Sequence, residues 1–495
     1  MQSLDRRTMI KVISAGMTFP LLPSNVLLGC GEAEPERQTP RSIIEPIFGE
    51  LPVHNDWWLS GNYAPVEESE AAQLEVIGAL PVELNGTYVR NGPNPATGES
   101  SHWFGGDGML HAVRLEAGQA PWYRARYIDT EFYQAPPEPG SIPSIEKHQA
   151  NTSIIRHADR WLCLAEGGLP YEVDSELSTK GIYRYEGSLN GPMTAHPKLD
   201  PNNGELHFFG YQLFPPGVNY YVANENGELI HSTEIEFPAG TMVHDFQLTE
   251  SHVIFMDLPL LFNLELAIAG DTMPFRWSSE HQARIGILPR NKEGAEIQWF
   301  NIESCFVFHM INAYNDPDMP NEVVLSAVRY PDFWNGQTDD FGSGGEVWIW
   351  RLNLETGEVN ERLFNEHLVE FPVINPMMQG KAQRYGYAIG SPRADKPEFS
   401  AVIKYDFQLE TQQLVPLAIP YHLGELKFIP AKNANSEDHG WLIGYGFNSE
   451  TRGSELLILD AKNLSETPVA RVILPTRVPF GFHGEWFEQR DPSAS

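Results

Sequence analysis

The chain has 495 residues, 41% hydrophobic and 20% charged, and its 66 acidic against 34 basic side chains give a net charge of −32. Acidity spread along the whole chain excludes nucleic acid as a partner, because such a surface repels phosphate; three cysteines exclude a disulfide framework. Forty-two glycines and 39 prolines favour turn-rich β structure, and all-β propellers and barrels reach this length as one unit.

The first element in chain order reads as an address. Arg6-Arg7-Thr8-Met9-Ile10-Lys11 precedes an apolar stretch from Val12 to Leu28 broken by Pro20 and Pro23, the pattern of a twin-arginine export signal over residues 1–30, with Asp5 where Ser or Thr is commoner. Leu27-Leu28-Gly29-Cys30 resembles a lipoprotein cleavage box; Cys30 is then either a lipid-anchored N-terminus or lost to an ordinary signal peptidase. Residues 31–50, rich in Pro and Glu, read as a linker. The expected location is the periplasm, and residues 51–495 are expected to form one domain.

From about residue 80, apolar alternating runs are split by short polar turns. Asn219 to Phe237 breaks at Asn-Glu-Asn-Gly, His244 to Leu258 at Thr-Glu-Ser, Glu346 to Phe364 at Glu-Thr-Gly-Glu, Ser400 to Ile419 at Glu-Thr-Gln-Gln and Trp441 to Leu459 at Ser-Glu-Thr-Arg-Gly. Such runs are β-hairpins, and their recurrence without strict repetition predicts an all-β propeller of degenerate blades. Cys163 and Cys305, in apolar strands, are expected to be buried thiols. Long loops at Pro136 to Pro143, Pro259 to Trp277, Tyr330 to Gly345 and Pro372 to Gln383 carry Phe262, Phe275, Trp277, Phe333, Trp334 and Phe341, and are expected to form a helical and loop dome roofing an apolar tunnel. The run Leu258 to Ala269 is too short to cross a bilayer; its two readings are a buried helix and a membrane-dipping patch.

Four histidines stand in distinctive phrases: Thr194-Ala-His196-Pro-Lys-Leu-Asp-Pro201, Met242-Val-His244-Asp-Phe-Gln-Leu-Thr249, Val307-Phe-His309-Met-Ile-Asn-Ala313 and Phe480-Gly-Phe-His483-Gly-Glu-Trp486. Their spacings of 48, 65 and 174 residues fit no zinc finger and no single helix. A propeller, however, sets the start of each inner strand beside its axis, so one His from each of four blades can meet there. Four neutral imidazoles hold a divalent transition metal without cancelling its charge and leave it open to further ligands.

These phrases, with Leu84-Asn-Gly-Thr-Tyr-Val-Arg-Asn-Gly-Pro-Asn-Pro95 and His102-Trp-Phe-Gly-Gly-Asp-Gly-Met-Leu-His111, closely resemble the carotenoid cleavage oxygenase family from Trp57 to Phe487. The resemblance implies a seven-bladed propeller with non-haem Fe(2+) on its axis, held by His196, His244, His309 and His483. It also implies that Glu166, Glu370 and Glu425 orient three of those rings, since a carboxylate accepting the far ring N–H fixes the tautomer and strengthens the metal-bound nitrogen. Thr130 matches a position whose methyl group crowds one open iron site in relatives. Gly105-Gly-Asp-Gly108 lacks the spacing of a phosphate cradle and reads as a tight turn.

The expected reaction is oxidative cleavage of a C=C bond by O2 to two carbonyl fragments, with no side-chain acid or base required. A carotenoid or apocarotenoid is the favoured substrate. Stilbene-cleaving relatives grip a phenol with Tyr and Lys, whereas Leu110-His111-Ala112 supplies no Tyr and no lysine lies between Lys11 and Lys147. A phenolic stilbene, with Lys147 restored to that role, is the alternative, and an exported propeller that binds an isoprenoid without reacting is the rival of a different class.

Overall fold

Strands rich in Val, Ile, Tyr and Phe, punctuated by Gly, Asn and Asp turns, pair antiparallel into seven sheets of four to six strands, the blades of a β-propeller. The computed structural model describes residues 48–489 except 137–143, 270, 272, 336–344 and 391–398. The twin-arginine segment, Cys30, the linker up to residue 47, most of the Pro136 to Pro143 loop and Phe341 lie outside the described residues.

Four predicted hairpin breaks fall at turns 224–228, 249–251, 354–358 and 449–452. The fifth is displaced: the turn occupies 407–410, and Thr411 already begins the next strand. Asp406 Oδ1 accepts from the amides of Gln408 and Leu409, and Glu410 takes φ +52°, so the chain reverses before the polar Glu-Thr-Gln-Gln phrase ends.

The ring is closed by both ends of the described chain. Gly484–Glu488 pairs with Gly86–Pro93 as the innermost strand of the first blade, and Val76–Gly78 pairs with Ala470–Ile473 on the outside of the last. Closure locks the first blade with strands from both ends of the described chain and leaves open only the short outer edge of each blade. Apolar clusters fill the wedges between neighbouring sheets: Phe209, Phe246 and Phe255 in one, Tyr88, Val113, Ile443 and Leu456 in another. Each such aromatic contributes on the order of 2–3 kcal/mol by leaving water.

The inner strands are Gly484–Glu488, Ser153–His157, Lys198–Leu199, Gln247–Leu248, Phe306–Asn315, Val369–Val373 and Lys427–Pro430, each at or beside one edge of its sheet. His196, His244 and His483 stand just before three of these strands, and His309 lies within a fourth. Cys163 and Cys305 are free and buried, and burial pushes the Cys305 thiol up to about 12.

The segment after Leu258 differs from the buried-helix reading. Leu260–Phe262 pairs with Phe275–Trp277 as a two-stranded ribbon, and the helix Leu264–Ile268 buries none of its residues. Leu264 and Ile268 are 55% and 74% exposed, and Phe214, 71% exposed, packs edge-on against Phe262. Asn263 caps the helix through the Leu266 amide, so local capping carries a turn that no core face supports. Among the described residues no helix is long and apolar enough to cross a membrane.

Candidate metal centre

Two of the four histidines, His196 and His483, are held by local hydrogen bonds at their backbone. Thr194 Oγ1 accepts from the His196 amide at 3.1 Å. The His483 amide donates to Thr152 O at 3.1 Å, and the His483 carbonyl accepts from Asn91 N at 3.0 Å. Asn91 Nδ2 in turn donates to Ala150 O and Ser153 O at 2.7 and 2.9 Å, and Arg90 Nη1 to Pro479 O at 2.6 Å. The Tyr-Val-Arg-Asn-Gly stretch is therefore the cradle of the His483 loop. Gly92 must be glycine there, because a Cβ would come within 2.8 Å of Gly481 Cα.

The four rings converge so that one nitrogen of each lies within 4.8 Å of the others. His196 Nε2 and His244 Nε2 are 2.9 Å apart, and His244 Nε2 and His309 Nε2 are 3.4 Å apart. On the far side of three rings stand carboxylates. Glu166 faces His244 Nδ1, Glu370 bonds His309 Nδ1, and Glu425 Oε1 lies 3.1 Å from His483 Nδ1. Carboxylates can only accept, so each places the proton on Nδ1 and turns the Nε2 lone pair inward.

Lone pairs aimed at one another across about 3 Å are repulsive unless a cation sits between them. Nitrogens bound side by side to a dication at about 2.1 Å stand about 3 Å apart, so the observed separations fit such an ion. At His196 and His483 the protonation chemistry agrees. Burial, followed by the neighbouring imidazoles, drives His196 well below its ordinary value, and burial also lowers His483. Burial pushes Glu425 up, but His483 and Lys427 outweigh it and hold the carboxylate down at about 2, ionised. For His309 burial opposes the charged form and Glu370 overrides it, while Glu370 itself is held below the usual carboxylate range. All-nitrogen donors with ionised outer carboxylates suit a borderline divalent transition metal.

Thr130 is buried, and its Oγ1 accepts from the Tyr133 amide at 3.0 Å, capping the helix Glu131–Gln134. Its hydroxyl is thus committed to the helix, leaving the methyl as the uncommitted end of the side chain. Asp107 accepts from Ala96 N through Oδ2 within the tight turn read at Gly105 to Gly108.

Several contributors escaped the sequence reading. Tyr330 donates to Glu370 Oε1 at 2.7 Å, occupying the oxygen that His309 does not use. Phe371 takes φ +50°, which lets its amide return to Glu370 Oε2 at 2.7 Å and its ring stack on His309 with centroids 5.4 Å apart. Phe308 meets His244 edge-on at 5.0 Å and continues to Phe333. A second aromatic group gathers Trp57, Tyr63, Phe104 and Phe482 around Trp103, and Phe482 immediately precedes His483 in the chain. Phe333 and Trp334 belong to this aromatic surround, as expected of their loop, and Ile374 and Met378 of the Pro372 to Gln383 loop pack into the same apolar cluster. That loop borders a polar cavity of about 630 Å³ that reaches His196, His309 and His483 and is lined also by Lys198, Asp245 and Lys427. Gln379 and Gly380 are held there by Gln247 and Asn312.

Residues 63–488 match the family model described as RPE65, retinal pigment epithelial membrane protein. The chain belongs to the RPE65/carotenoid oxygenase family. It is 34% identical over 492 residues to a carotenoid cleavage oxygenase of Mycobacterium tuberculosis, covering 87% of this chain and 97% of the relative. It is 34% identical over 488 residues to a carotenoid 9,10(9',10')-cleavage dioxygenase of Crocus sativus, covering 86% of this chain and 88% of the relative. Among solved structures, cobalt-substituted Synechocystis ACO matches with a TM-score of 0.78 at 26% identity, over 86% of this chain and 96% of that one. The chain is accordingly an enzyme of the carotenoid oxygenase type.

Replacing a carboxylate that orients a ligand typically costs 10–100-fold in metal affinity. Glu370→Gln is expected to weaken divalent-metal binding roughly 30-fold while leaving stoichiometry at saturation unchanged, and His309→Ala to abolish tight binding. Equilibrium dialysis against a metal buffer, read by elemental analysis, distinguishes the two.

Proposed function

We propose that the protein is a ferrous-iron dioxygenase that uses O2 to cleave one C=C bond of a carotenoid or apocarotenoid. One observation carries the reading: four inward imidazole nitrogens, three of them backed by carboxylates, with Phe308 packed on His244 and Phe371 on His309. Iron bound to His196, His244, His309 and His483 supplies the redox chemistry, activating O2 toward an electron-rich alkene. Both oxygen atoms end in the products, one on each former alkene carbon, so no external reductant is required.

The chain's own residues perform the remaining tasks. Glu166, Glu370 and Glu425 keep the Nδ1 protons outward and partly offset the dication. Phe308 meets His244 edge-on with Phe333 behind it, an apolar surface that buries a flat polyene and excludes water from it. We assign the Thr130 methyl a part in restricting access to a metal that the four histidines would hold.

Leu110-His111-Ala112 supplies no tyrosine in the stretch where the resemblance places the phenol-gripping one of stilbene-cleaving enzymes, which supports the polyene over a phenolic stilbene. Incubating iron-loaded protein with an apocarotenal and separately with a hydroxystilbene, with mass analysis of products, tests this. Aldehydes from the apocarotenal are expected; aldehydes from the stilbene alone overturn the substrate class, and neither supports the binding-only propeller.

We also propose where the enzyme works. Exposed Leu264 and Ile268 on the helix, with exposed Phe214 on a blade turn packed against Phe262, offer an apolar contact for a lipid surface, the source of an apolar substrate. Changing all three to Ser is expected to reduce pelleting with phospholipid vesicles several-fold; unchanged pelleting removes the contact. Export by the twin-arginine route rests on Arg6 and Arg7, so Arg6→Lys with Arg7→Lys is expected to retain the protein in the cytoplasmic fraction.

A further inference from the structure

Beside the ligand histidines lies a buried ion pair to which the reaction gives no task. Asp245 follows His244 directly, and its side chain is only 2% exposed. Its Oδ1 lies 2.6 Å from Lys198 Nζ and accepts from Phe246 N at 2.8 Å. Its Oδ2 accepts from Met310 N at 2.9 Å. Lys198 stands two residues after His196, and Met310 immediately follows His309. One carboxylate thus touches the strands that carry three of the four converging histidines.

The arrangement answers a problem peculiar to this fold. Each blade is hydrogen-bonded within itself, but no sheet ladder joins the strand of His196 to that of His244, or that of His244 to that of His309. Their mutual spacing at the axis must come from side chains. An apolar contact would pack three strands together without setting distances to a few tenths of an ångström, and it would avoid the desolvation that a buried charge pair incurs. A carboxylate with a fixed backbone donor on one oxygen and an ammonium on the other sets those distances directionally. Because Lys198 neutralises it, Asp245 adds little net field of its own to the centre.

We infer that Asp245 and Lys198 are a positioning clamp that sets the relative placement of His196, His244 and His309, and through it the ligand geometry and retention of the bound metal. The inference rests on the four histidines holding a metal, and its test separates the two claims.

Cobalt(II), loaded into purified full-length protein, reports ligand geometry through its visible absorption bands, and its release to a chelator reports retention. Asp245→Asn keeps an acceptor for Met310 N but removes the charge; Lys198→Met keeps the aliphatic stem and removes the ammonium. Both are expected to shift the cobalt bands and to speed cobalt release roughly tenfold, the low end of the loss seen when outer partners of metal ligands are removed. The double variant is expected to release no faster than Asp245→Asn alone, since the two side chains act as one unit.

Asp257→Asn is the comparison. It breaks another buried pair, with His281 and Arg284 at 2.7 and 2.8 Å, and is expected to lower the melting temperature with cobalt bands unchanged. Wild-type bands and release rates in both Asp245→Asn and Lys198→Met overturn the clamp while leaving the metal centre intact. Failure of the wild-type protein to bind cobalt overturns the metal centre and the clamp together. Should Asp245→Asn not fold, Lys198→Met decides alone.

Discussion

Imidazole nitrogens whose outer protons are claimed by carboxylates can only point lone pairs at one another, and such a set holds together around a cation. That constraint organises the centre of this molecule. It demands four rings at one point, supplied by four blades, and it demands anions behind them to offset the charge they surround. It also demands that the ring of blades be closed, because His483 arrives on the last described strand and takes its place only when Gly484–Glu488 pairs with Gly86–Pro93.

Closure explains the unequal histidine spacing. From His309 to His483 the chain builds two more blades; Glu370, within the inner strand of one, and Glu425, just before the inner strand of the other, come to the axis in place of histidine. The chain therefore visits the centre as His196, His244, His309, Glu370, Glu425 and His483, about one blade at a time, with Glu166 coming from a turn of an earlier blade. Ligands and the carboxylates that orient them are one series, and each carboxylate is delivered from a different blade than the ring it serves. A distortion of one blade is thereby felt at two.

Around this polar point the chain places two unlike surroundings. Phe308 and Phe333 give His244 an apolar border, whereas Phe371, stacked on His309, lines the axial cavity together with Lys198, Asp245 and Lys427. The aromatic border strengthens the electrostatics of ionised Glu370 beside it, which is why that carboxylate is satisfied by Tyr330, His309 and the Phe371 amide together. The left-handed backbone at Phe371 is retained because those bonds depend on it.

Residue order by itself determined the alternation of strands and turns, the four ligand candidates and the three glutamates, because periodicity, turn chemistry and motif wording are local properties. It left Leu258 to Ala269 ambiguous, since a short apolar run does not say whether a neighbouring sheet will cover it, and the structure leaves Leu264 and Ile268 uncovered. It missed Asp245, although a charge in Met-Val-His-Asp-Phe, flanked by residues that must be buried, was a visible sign of a buried pair; its partner Lys198 is a blade away. It also missed Tyr330 and the cradle made by Arg90 and Asn91. Tertiary structure alone decided which carboxylate serves which ring, which loop borders the polar cavity, and how close the imidazoles approach. Those depend on how seven separate sheets pack around one axis, and blade-to-blade packing is set by side chains far apart in the chain.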